Sequence, residues 1–133
     1  MRQVLGDYTK ARCDVNGLAW SPDGALLATA HQDGSVRLWD GEGAAPVREI
    51  RAHSGWSRGV AWSPDGQVLA TTGEDKRIVL WDPRSGQRLG EERHNYQPVW
   101  SVVWSPDGRL VSSGSGTYSD ARVGVAIVWS VPR

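Results

Sequence analysis

Three histidines, one cysteine and a scatter of carboxylates are the residues with which this chain could make or break bonds, and His31, His53 and His94 are too few to suggest a site. Hydrolysis or group transfer needs a nucleophile beside a base, or a metal held at fixed spacing. The local signatures of those arrangements are missing: there is no Gly-x-Ser-x-Gly elbow, no His-Glu-x-x-His helix and no phosphate loop. "GEGAAP" at 41–46 lacks the third glycine of a dinucleotide fingerprint. Cys13 stands alone, so it forms no internal disulfide, and no Cys/His cluster has metal-ligand spacing. No cofactor and no metal are expected. The chain is instead rich in tryptophan, with eight against no phenylalanine. Indole and guanidinium groups are the usual anchors of recognition. Trp56 and Trp100 are the two indoles that the chain's repeat does not explain, and Arg58 stands two residues from Trp56.

The totals narrow the function classes further. A chain of 133 residues suits one domain. Lys plus Arg (15) balance Asp plus Glu (15), so no bulk field draws the protein to nucleic acid or an anionic membrane surface. The longest nearly unbroken apolar run, "VGVAIVW" at 123–129, is far below the roughly 20 residues of a bilayer span. The N-terminus has no signal-peptide apolar core. The expectation is a soluble, unexported, cytoplasmic protein.

What must position the candidate anchors is a repeat. "WSPDG" begins at Trp20, Trp62 and Trp104, at intervals of 62 − 20 = 42 and 104 − 62 = 42. A period near 40 to 45 residues is the mark of propeller blades. Short apolar segments flank each Ser-Pro-Asp-Gly, where proline presets a turn, Ser and Asp bond nearby backbone and glycine takes the exit geometry. A second turn follows at "QDGS" (32–35) and "EDKR" (74–77), leading into "VRLWD" and "IVLWD", whose β-branched and aromatic residues favour a strand. After a third turn come "VREIR" and "RLGEE", polar enough for an outer edge. Each unit is thus expected to be a four-stranded antiparallel sheet, with Trp20, Trp62, Trp104, Trp39, Trp81 and Trp129 as buried packing groups. Helices are excluded because Pro and Gly interrupt every window of helical length.

With Trp39-Asp40 and Trp81-Asp82 closing two units and Trp129-Ser130 a degenerate third, the chain resembles the WD-repeat β-propeller family over nearly its whole length. The resemblance implies an all-β fold of three blades per chain: an outer strand near 4–10, then blades near 14–52, 56–93 and 98–132. It also implies a hydrogen-bonded staple in each blade, formed by a His before the first strand, a Ser or Thr on the second, an Asp in the next turn and the third-strand Trp. The middle blade matches fully with His53, Thr71, Asp75 and Trp81. The first offers Thr29, Asp33 and Trp39, with Ala11 at the His position. The third offers Ser113 and Trp129; His94 falls one residue early, and Val123 takes the Asp place because six residues are inserted (129 − 81 = 48). The outer blades should be less rigid than the middle one.

Propellers have roughly four to eight blades, since every wedge covers its faces with neighbours. Three wedges leave two apolar faces bare, which monomers rarely tolerate. Shifting 46–53 back by 42 lands on "VLGDYTKA" at 4–11, a spare outer strand, and the chain stops just after the third strand of its last blade. The expectation is strand exchange between copies, with residues 4–10 of one completing the blade that ends at Trp129 of another. Two copies give 3 + 3 = 6 blades and three give nine, so the dimer is favoured. The alternatives are a fragment of a longer propeller and an engineered partial ring.

In repeat register Trp56 aligns with Asp14 and Pro98, and Trp100 with Asn16 and Arg58. The family resemblance places these positions at the start of the innermost strand, near the narrow face and the channel mouth. The expected patch is Trp56, Arg58 and Trp100 ringed by Asn16, Gln32 and Glu74; the competing reading is that these indoles plug the channel or seal a subunit contact. The insertion "GTYSDARVG" (116–124) is read as a loop, with Tyr118 and Arg122 as its contact residues or as a tolerated length change. "WDPR" (81–84) resembles an adaptor-docking motif of some WD-repeat substrate receptors and equally suits a turn. The functional expectation is a non-enzymatic scaffold binding a protein or peptide on the narrow face. The alternatives are a self-assembling partial propeller with no ligand and a hydrolase with its site in the channel.

Overall fold

The computed structural model describes residues 14–42, 45–93, 98–118 and 121–129. Their order is β1 (Val15–Trp20), β2 (Leu27–His31), β3 (Ser35–Trp39), β4 (Arg48–Arg51), β5 (Ser57–Trp62), β6 (Leu69–Gly73), β7 (Arg77–Trp81), β8 (Arg88–Arg93), β9 (Val99–Trp104), β10 (Leu110–Tyr118) and β11 (Ala121–Trp129). They form three antiparallel sheets in sequence order: β1–β4, β5–β8, and β9–β11, the last with three strands among the described residues. The spare segment near 4–10, Ala11 and His94 lie outside the described residues.

The Ser-Pro-Asp-Gly turns work as their chemistry demands. In the first, Ser21 Oγ donates to Asp23 Oδ1 at 2.6 Å and the Gly24 N–H donates to the Ser21 carbonyl at 2.9 Å. Gly24 has φ +73°, a left-handed conformation that a Cβ would strain. The Ser63 turn repeats these bonds at 2.6 and 2.8 Å. The Ser105 turn is one residue shorter: Ser21 and Ser63 close onto the carbonyls of Leu26 and Val68, five residues on, whereas Ser105 closes onto Arg109, four residues on. Leu110 consequently stands opposite Trp104 and Trp129, the place Leu27 and Leu69 hold in the other sheets.

The core lies between the sheets. Ala28, Ala30, Val36, Leu38 and Ile50 of the first meet Val60, Trp62, Leu69, Val79 and Trp81 of the second. Ala61, Ala70 and Ile78 on the second sheet's other face meet Val99, Val102 and Leu110 of the third. Strand alternation makes this possible, since successive residues of β5 serve opposite interfaces. Full burial of a side chain such as Leu38, Leu69 or Ile78 stabilises by about 1.5–3 kcal/mol. The sheets approach closely at the innermost strands: a Cβ on Gly17 would lie 2.5 Å from the Arg58 carbonyl oxygen.

Two expectations need correcting. Trp20, read as a buried packing group, is 59% exposed, whereas its repeat equivalent Trp62 is 8% exposed. The reason is that, among the described residues, no blade covers the face of the first sheet on which Trp20 lies. The insertion at 116–124 is not an open loop. It lengthens β10 and β11 to nine residues each, with Gly114 paired to Val125, Gly116 to Val123 and Thr117 to Arg122.

Candidate interaction site

Each sheet is braced by a tryptophan on its third strand. In the middle sheet Trp81 Nε1 donates to Thr71 Oγ1 at 2.9 Å, Thr71 Oγ1 lies 2.9 Å from His53 Nε2, and His53 Nδ1 lies 2.9 Å from Asp75 Oδ1. Asp75 also accepts from the backbone N–H groups of Ser54 and Arg77. Burial works to raise the Asp75 carboxyl, but the hydrogen bond and attraction of the His53 ring, with those N–H groups, hold it below the ordinary carboxylate value. A histidine protonated at Nδ1 satisfies the chain throughout, with indole donating to hydroxyl, hydroxyl to imidazole and imidazole to carboxylate. His53 is thereby a structural group.

The first sheet reaches the same end by another route. Trp39 Nε1 donates to Thr29 Oγ1 at 2.9 Å, and the imidazole beside that hydroxyl is His31, with Nε2 at 2.7 Å. His31 is the repeat equivalent of Gly73 (73 − 31 = 42). At Gly73 a Cβ would sit 2.6 Å from Cγ of the His53 ring, so the middle sheet needs glycine where the first carries its histidine. Sequence reading missed His31, although it lies two residues from Thr29 and therefore on the same face of the strand. Asp33 does not join the Thr29–Trp39 pair as expected: its carboxylate accepts from Ser35 N and Oγ and from Arg37 Nη2, whereas its equivalent Asp75 reaches the Thr71–Trp81 pair only through the bridging His53 ring. Burial raises its carboxyl, but the Ser35 bonds, Arg37 and His31 outweigh this and leave it lowered. In the third sheet Trp129 Nε1 donates to Ser112 Oγ at 2.9 Å, not to Ser113, because the shorter Ser105 turn advances β10 by one position.

The expected recognition residues gather at one end of the sheets. Arg58 lies at the start of β5, and its Cζ is 4.7 Å from the Trp56 ring centroid and 4.3 Å from that of Trp100. A guanidinium within about 6 Å of an indole face is attracted by the ring quadrupole. Its Nη2 also donates to Glu74 Oε1. Trp56 is 38% exposed and Trp100 44% exposed. The four residues therefore form a bridge from the second sheet to the third that keeps indole surface in solvent. Asn16 Nδ2 donates to the Ser57 carbonyl at 3.0 Å, tying the first sheet to the residue before Arg58. Gln32 holds in the first sheet the corner that Glu74 holds in the second, and its N–H donates to the Asp14 carbonyl at 3.0 Å. The β10–β11 hairpin rises from the same end: Val99, at the start of β9, pairs with Gly114, and β10 runs four residues further to Tyr118, or about 13 Å at strand rise.

At the opposite end "WDPR" forms a turn, with Arg84 N donating to Asp82 Oδ1 at 2.9 Å and Gly86 N to the Asp82 carbonyl at 2.8 Å. Arg48 of the first sheet donates to the carbonyls of Arg84 and Ser85. Among the described residues no group of three or more His, Cys, Asp or Glu could hold a metal, and no helix is long and apolar enough to cross a membrane.

The family model of the WD domain, G-beta repeat, matches residues 3–40, 44–82 and 86–123. The chain belongs to the WD domain, G-beta repeat family. Over 52 residues, 38% of the chain and 12% of the relative, it is 40% identical to the COMPASS component SWD1 of Saccharomyces cerevisiae. The fold resembles the β-propeller domain of Myceliophteria thermophila Cps50 (Swd1), with TM-score 0.70 and 22% identity over 89% of this chain and 40% of that one. It also resembles a chain in the crystal structure of a mitotic checkpoint complex, with TM-score 0.70 and 30% identity over 85% of this chain and 40% of that one. The WD-repeat chain thus spans less than half the length of these relatives, and its three sheets are propeller blades.

Proposed function

We propose that this WD-repeat chain is a non-enzymatic scaffold that binds a protein or peptide across the end carrying Trp56, Arg58 and Trp100. The observation that carries the reading is the Arg58 guanidinium held between two indoles that remain more than a third exposed. Rigid aromatic and Arg groups of this kind offer large contact area at little entropic cost. Asn16, Gln32 and Glu74 are proposed as the polar rim, and Tyr118 and Arg122, on the hairpin strands, as secondary contacts. Two similar proteins are named as parts of assemblies, the COMPASS component and the checkpoint complex, which supports protein partners. A second copy completes the ring to six blades, by exchange of the segment near 4–10. The exposed faces of the first and third blades support that closure. A lone cysteine asks for no oxidising compartment, and we place the protein in the cytoplasm.

The test is a peptide library displayed against the purified chain. Selected peptides bind the wild type and lose at least about tenfold in affinity for Trp100→Ala, an interfacial anchor being worth roughly 1–3 kcal/mol, while the melting temperature stays nearly constant. A Trp100→Ala chain that melts far lower yet binds the same peptides would show the indole to be a channel plug, and the reading would fall.

A further inference from the structure

Among the described residues, the outer flanks of blades 1 and 3 carry exposed apolar groups. Blade 2 turns Val60 and Trp62 toward blade 1, and Trp62 Nε1 donates to the Ala19 carbonyl at 3.0 Å. Blade 3 repeats the contact on blade 2, with Trp104 Nε1 donating to the Ala61 carbonyl at 3.1 Å. Donors and acceptors both advance by 42 residues, 104 − 62 and 61 − 19. One step before Trp62 stands Trp20, and one step after Ala61 stands Val103 (103 − 61 = 42). In the single chain these are the terms left over.

The surfaces around them agree. On the outer flank of blade 1, Leu18 is exposed where its equivalent Val60 is buried, and the Trp20 indole lies in solvent. On the outer flank of blade 3, Val103 and Val128 both stand opposite Val111 and so share one face, and both are more than half exposed. One flank offers an indole donor amid apolar groups. The other offers a backbone acceptor amid apolar groups.

We propose that the blade 1 flank of one copy docks on the blade 3 flank of a second, the Trp20 indole donating to the Val103 carbonyl of that copy and Leu18 packing beside it. Each copy supplies both halves, so two such contacts close a six-blade ring. The inference deepens the ring closure given above and rests on it. The match is imperfect in one place. Gly17 and Gly59 let neighbouring blades approach, and a Cβ on Gly59 would be 3.1 Å from the Ser101 Cα. The third member of that series is Ser101 itself (101 − 59 = 42), so the contact between copies is wider there than the two within the chain.

Light scattering on the full 133-residue chain tests this. The expected mass is twice 14.5 kDa. Trp20→Phe keeps the ring but loses the N–H, and it weakens association about tenfold by stranding the carbonyl. Trp20→Ala and Val103→Arg return the mass to one copy; because both side chains are exposed in the single chain, the far-UV circular dichroism of each variant stays that of the wild type. Ser101→Gly tightens association. A single-copy mass for the wild type at every concentration overturns both the contact and the ring closure, leaving other polypeptide to cover the flanks. A doubled mass indifferent to Trp20→Ala and Val103→Arg overturns this contact but leaves dimerisation standing. A tripled mass overturns the six-blade closure.

Discussion

Thr71 Oγ1 receives the Trp81 indole and meets His53 Nε2 within one buried staple. Thr71→Val preserves shape but strands both partners, and a buried polar group left unpaired costs about 1–3 kcal/mol. The expected loss is about 3 kcal/mol by urea denaturation, whereas Thr71→Ser stays within about 1 kcal/mol because the hydroxyl remains. Acid acts on the same staple from its far end. Asp75, at that end, and Asp33, in the corresponding turn of blade 1 but outside its staple, titrate lower in the fold than in the unfolded chain. Their contribution is therefore complete above the unfolded value of about 3.9 and is lost as pH falls through the lower folded values. Thermal melting followed by circular dichroism should fall below about pH 4, with a shallower fall for Asp75→Asn.

Elements were legible where a local rule decides them. Ser-Pro-Asp-Gly fixed the first hairpins, and β-branched runs ending in tryptophan fixed the third strands. What escaped was register and length. A 42-residue alignment puts Ser113 under Thr71, but one residue fewer in the Ser105 turn moves Ser112 there instead. Likewise an insertion containing Gly, Ser and Asp reads as a loop, yet an even lengthening of two paired strands satisfies the backbone without breaking the ladder. His31 was hidden for a different reason: the family pattern ties the staple's imidazole to a sequence position, while the fold requires only an imidazole in a volume. The Trp56, Arg58 and Trp100 cluster was recoverable because its two indoles break a repeat that explains the other six. The hairpin gives an element-scale prediction. Removing 115–117 and 122–124 takes out three facing pairs and restores the 42-residue period. The shortened chain should melt within about 4 °C of the parent and bind the selected peptides more weakly, as read by calorimetry.

At the scale of the molecule, equivalent wedges are not interchangeable parts. The imidazole bracing blade 1 is carried by its own β2, whereas the one bracing blade 2 arrives from residue 53, in the connection handed over by blade 1 before β5 begins. The backbone is therefore unequally sensitive to being nicked. A protease site placed between Gly55 and Trp56 and then cleaved would free the His53 segment to leave its Thr71, and the melting temperature should drop. The same cleavage in the Gly41 turn severs neither set of braces and should leave it nearly unchanged. Endurance after a break thus depends on which wedge keeps its histidine at home.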